Sequence, residues 1–123
     1  MNVQLTAQRA YAQNSAPVRT PRGIEYDAFA RITHRLKSAS DAGQIAPLAT
    51  ALHDNRRLWT LLATQVAEAE NELSADLRAR IFYLAEFTNQ HSRKVLRGQA
   101  SPVALIDINT AIMRGLRQQE GGK

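Results

Sequence analysis

Apolar positions recur at intervals of three and four along most of this chain, the spacing of helices that each bury one face. Four stripes carry the pattern: Phe29, Ile32, Leu36 and Ala39; Leu48, Leu52, Asn55, Trp59, Leu62 and Val66; Leu77, Ile81, Leu84, Thr88, His91 and Val95; and Leu105, Ile108, Asn109, Ile112 and Leu116. β-Branched residues are scattered singly among helix formers, so almost no segment alternates as a strand does. The expected fold class is all-α, a compact antiparallel bundle of four main helices with a short N-terminal helical arm, because short connections favour antiparallel neighbours.

Turn and cap residues set the expected boundaries. Thr20-Pro21 opens the first main helix, with threonine able to cap and proline preset at the first helical position. Asp41-Ala42-Gly43 stops it, glycine tolerating the left-handed conformation that closes a helix. The second helix is expected from about Ile45 to Val66, followed by an acidic loop, Glu68-Ala69-Glu70-Asn71-Glu72. Ser74 caps the third, about Ala75 to Arg97, which Gly98 ends. Ser101-Pro102 starts the last, expected to run to about Leu116. A single domain results: residues 1–19 as arm and linker, 20–117 as the helical core, 118–123 as a frayed tail.

Two stripes contain an asparagine where the spacing calls for an apolar residue, Asn55 and Asn109. A buried amide without partners costs about 1–3 kcal/mol, so each must meet something specific, inside the fold or on another chain. The plainer reading makes both of them core amides that fix helix register. A self-association seam through Asn55 is the other.

Composition narrows the class. A length of 123 residues with 44% hydrophobic and 22% charged positions suits one globular core. The absence of cysteine excludes disulfides, thiolate metal sites and cysteine nucleophiles. The start Met1-Asn2-Val3-Gln4-Leu5-Thr6 lacks the basic and apolar regions of a secretory signal, and no apolar run nears the roughly 20 residues of a membrane span. A soluble, cytoplasmic protein with no membrane insertion is therefore expected. The net charge is +5, and residues 1–60 hold eight basic and four acidic side chains against eight and seven in the remainder. That surplus permits an acidic protein or a nucleic acid as partner, but no basic block with interleaved aromatics marks a nucleic-acid surface.

Candidate chemistry is sparse. His34, His53 and His91 sit on three different predicted helices without the i, i+3 or i, i+4 pairing of metal ligands. No phosphate-binding glycine loop, nucleophile elbow or His-Glu-x-x-His motif occurs. No catalytic residue, cofactor or metal is assigned, and an enzyme is not expected. Binding features are better represented. Leu58 and Leu61 stand off the Asn55 stripe, and Tyr83 and Phe87 stand off the Ile81 stripe. Either these helices are central and bury two faces, or the surplus apolar surface forms a groove for an amphipathic helix. In the second case Leu58, Leu61, Tyr83 and Phe87 are the expected anchors, with Arg56 and Arg57 meeting acidic partner residues.

Three segments carry a family likeness: Ala51-Leu52-His53-Asp54-Asn55-Arg56-Arg57-Leu58-Trp59, Leu77-Arg78-Ala79-Arg80-Ile81, and Leu105-Ile106-Asp107-Ile108-Asn109 with Ile112-Met113-Arg114-Gly115-Leu116. In order and spacing they resemble the FlaF family of flagellar-biosynthesis regulators of alphaproteobacteria, as do Tyr11 and the stretch from Thr20-Pro21-Arg22 to Tyr26 and Phe29. Gln65 and Ser74 depart from the family pattern, which is acidic and proline at these places. The resemblance implies a small cytoplasmic helical protein that binds flagellin before export and influences flagellin production alongside the translational regulator FlbT. An RNA-binding regulator of flagellin expression is the alternative, motivated by the basic N-terminal half.

Overall fold

The computed structural model describes residues 26–68 and 73–121. Four helices follow one another: α1 (Tyr26–Ala42), α2 (Ile45–Val66), α3 (Ala75–Leu96) and α4 (Val103–Gly121). No strand occurs among the described residues. The expected arm, the linker, the Thr20-Pro21 start and the centre of the acidic loop lie outside them.

The boundaries follow from local chemistry. α1 and α3 both close in the same way. Gly43 (φ 67°) and Gly98 (φ 73°) take the left-handed conformation, and their N–H groups donate to Ser40 and Val95 carbonyls while the next N–H reaches back to Ala39 and Lys94. This double bond pattern satisfies carbonyls that a helix end otherwise leaves bare. Gly98→Ala is expected to lower stability by about 1–2 kcal/mol, the cost of a side chain at positive φ. Urea titration checks it, and an unchanged midpoint would show that the turn relaxes freely. Pro47 falls in the first turn of α2, where a missing N–H leaves no bond unmade. Ser74 Oγ accepts from Leu77 N at 3.2 Å and starts α3. At the far end of α2, Arg78 of α3 donates to the Val66 and Glu68 carbonyls at 2.9 and 3.3 Å. A cation thus sits on the negative end of that helix. α4 runs past the expected stop near Leu116 to Gly121, since Gln118-Gln119-Glu120 are good helix formers and the first breaker is the glycine pair.

Apolar side chains from all four helices form two clusters. One contains Phe29, Trp59, Leu62, Val66, Leu73, Ile81, Ile112 and Leu116, the other Leu36, Ala51, Leu52, Val95 and Leu105. Along α1 and α3 the first cluster comes first in sequence, and along α2 and α4 the second does, so successive helices run antiparallel. α1 packs on α2 and on α4, and α2 packs on α3, while α3 and α4 meet over a shorter stretch. Phe29 and Trp59 join α1 to α2 edge to face, with ring centroids 5.7 Å apart at 89°. The stripes are largely buried as the periodicity predicts, but Leu48 and Ile108 are only half-buried, and α1 and α3 each show a shift. Thr33 rather than Ile32 lies fully inside on α1, and Ser92 joins Ile81, Thr88 and Val95 on α3, where Leu77, Leu84 and His91 are only half-buried.

Candidate functional site

Between the two clusters lies a layer of polar side chains to which every helix contributes. Thr33 falls between Phe29 and Leu36, Asn55 between Leu52 and Trp59, Thr88 and Ser92 between Ile81 and Val95, and Asn109 between Leu105 and Ile112. All five are buried. The indole of Trp59 fixes how the layer is wired, because it can only donate. Its Nε1 donates to Asn109 Oδ1 at 2.8 Å, so the Asn109 amide nitrogen must face the other way. There it donates to Thr33 Oγ1 at 3.0 Å and to Asn55 Oδ1 at 2.8 Å. The Thr33 hydroxyl in turn donates to the Phe29 carbonyl at 2.6 Å. Asn109 therefore uses its oxygen and both amide hydrogens. Asn55 Nδ2, Thr88 Oγ1 and Ser92 Oγ, by contrast, have no partner among the described residues.

Outside this layer, α2 and α3 border a concavity of about 260 Å³ lined by Arg56, Trp59, Thr60, Ala63, Thr64, Phe82, Ala85, Glu86, Thr88 and Asn89. Ala63 on α2 and Ala85 on α3 are the small residues of its lining. Phe82, 46% exposed, stands at one end. At the other end Arg56 Nε donates to Asn89 Oδ1 at 2.9 Å, which holds the guanidinium in place while its terminal nitrogens stay available. Glu86 also lines the concavity, its carboxylate accepting from Gln90 Nε2 at 3.0 Å.

The residues expected to anchor a partner are not brought into one groove. Leu58 is half-buried and packs against the larger apolar cluster; at 100° per residue it stands 100° from Trp59, opposite in sense to Arg56, Thr60 and Ala63 on the α3 side. Leu61 and Tyr83 point outward, 52% and 70% exposed. Phe87 is half-buried, stacked on His91 at 5.1 Å between centroids, and His91 Nε2 donates to the Ser101 carbonyl at 2.9 Å on the connection to α4. None of these four side chains lines the concavity between α2 and α3. Of the six residues singled out for partner contact, only Arg56 lines the concavity, and Arg57 is simply exposed. Sequence reasoning passed over Phe82 and Asn89, although Phe82 stands immediately beside Tyr83. Among the described residues no group of three His, Cys, Asp or Glu side chains is placed to hold a metal ion, and no helix is long and apolar enough to cross a membrane.

These features define a small all-helical bundle with a polar layer through its core and a helix-lined concavity on its surface. The model of the family described as flagellar protein FlaF matches residues 7–116, and the chain belongs to the FlaF family. The match takes in the three segments that carry the resemblance. No curated protein and no solved structure matches the chain.

Proposed function

We propose that this flagellar protein is a cytoplasmic export chaperone that binds flagellin through an amphipathic helix and thereby influences flagellin synthesis, acting as a binding protein and not as an enzyme. Membership of the FlaF family over residues 7–116 carries the reading. Physical chemistry supports it. Flagellin ends in long amphipathic helices that aggregate when bare, and a helix laid against a helical bundle shields its apolar face at little cost in new structure. The chain offers surface of the right kind, with Phe82, Tyr83 and Leu61 largely exposed and a net charge of +5 to draw an acidic partner.

A calorimetric titration against purified flagellin monomer, at low and at moderately high salt, tests the proposal. The expected result is a saturable one-to-one complex that survives salt, since buried apolar area is not screened. No binding at either salt would sink the chaperone role. FlbT and flagellin messenger RNA are then the partners to titrate, and for RNA the affinity falls steeply with salt as phosphate contacts release counterions.

A further inference from the structure

We propose that the concavity between α2 and α3 is the seat of the partner helix, and that it selects an apolar residue and, two helical turns away on the same face, a carboxylate. The inference rests on the reading of this chain as a helix-binding protein and adds where and by what chemistry the helix is held. Three features of the concavity support it. Its lining includes Ala63, Ala85 and Phe82, the last 46% exposed, so an apolar side chain finds contact there. Arg56 lies at the opposite end, its guanidinium oriented by Asn89 at 2.9 Å. Only its Nε is occupied in that bond, which leaves the terminal nitrogens for a carboxylate. Thr88, 1% exposed, lines the same concavity with a hydroxyl that no described residue satisfies.

The spacing sets the pattern read. Arg56 bonds Asn89 at one end; Ala63 lies seven positions further along α2 and, the helices being antiparallel, Phe82, seven positions before Asn89 on α3, falls at the same end, about two helical turns away. Glu86 between these ends accepts from Gln90, so a partner residue facing it is neutral or basic, and a uniformly acidic helix is refused. Specificity thus comes from one attractive charge at the end away from the apolar socket and one repulsive charge between the two.

The test uses the full chain, labelled with nitrogen-15, and three probes: flagellin monomer, a synthetic amphipathic peptide of about 20 residues with leucine and glutamate two helical turns apart on one face, and the same peptide with lysine for that glutamate. The acidic peptide is expected to shift amide signals of residues 56–64 and 82–89, and the lysine peptide to bind at least tenfold more weakly. Phe82→Glu and Arg56→Glu should each weaken the acidic peptide tenfold or more. Phe82 is half-exposed, so that variant keeps the bundle folded, and an unchanged melting temperature verifies it. On Arg56→Glu the lysine peptide should regain affinity. Shifts confined to another face, equal binding of both peptides, an unaffected Phe82→Glu variant, or no peptide binding at all would each overturn the proposal. Flagellin binding on a different face overturns it while leaving the chaperone reading intact. The acidic peptide binding here while flagellin does not bind keeps this site and discards that reading.

Discussion

Asn109→Ala is expected to lower the free energy of unfolding by about 3–5 kcal/mol, read as a fall in the urea midpoint with little change in slope. The magnitude comes from what the truncation leaves behind. Trp59 Nε1 and Asn55 Oδ1 both lose their partner in the interior, and a buried group left unmade costs about 1–3 kcal/mol. Thr33 keeps its bond to the Phe29 carbonyl, so its share is smaller. Loss of the amide also opens a gap between the two apolar clusters, and a core side chain that shrinks forfeits its contacts outright. Domains of this size have roughly 5–15 kcal/mol in hand, so the variant should be close to unfolding at physiological temperature. A loss below about 1 kcal/mol would mean that the four helices hold register without the polar layer. Trp59 is the chain's single tryptophan and makes bond to the replaced residue, so its fluorescence reports the transition directly.

Trp59→Ala is the second large effect, expected at about 3–5 kcal/mol and followed by far-ultraviolet circular dichroism because the fluorophore is gone. Trp59 is 1% exposed, meets Phe29 edge to face, and belongs to the larger apolar cluster. Two losses are mixed in this variant, and Trp59→Phe separates them. Phenylalanine keeps much of the apolar contact but leaves Asn109 Oδ1 without its donor, for an expected loss of about 1–3 kcal/mol. The hydrogen bond is shared, so Trp59→Phe combined with Asn109→Ala should cost less than the two singles added together. Strict additivity would place the energy in packing and remove the network from the account.

The polar layer also bears on how the helices are set against one another. Sliding one helix by a turn would set Thr33, Asn55 or Asn109 against the apolar residues of a neighbour and leave amides unpaired, which is how buried asparagines specify register in helical assemblies. Trp59 also lines the concavity, and its bond to Asn109 fixes α2 against α4, whereas the register of α2 against α3 is marked by the Arg56–Asn89 bond.

Much of this was legible in the chain itself. Helix class, the four stripes and the ends at Gly43, Ser74 and Gly98 depend on residues within a turn or two of one another, and the physics of capping and amphipathicity is equally local. The three family-like segments are likewise linear patterns. Tertiary structure alone decided which neighbour each face meets. Periodicity places Leu58 and Phe87 off the central stripes but cannot say that the first turns into the larger cluster while the second stacks on His91. It marks Asn55 and Asn109 as anomalies, yet their pairing spans 54 residues, and Thr33 joins them across 76. A single helix's sequence determines which side faces inward; the partner found there depends on how four helices cross, and that is settled only when all of them bury their apolar faces together.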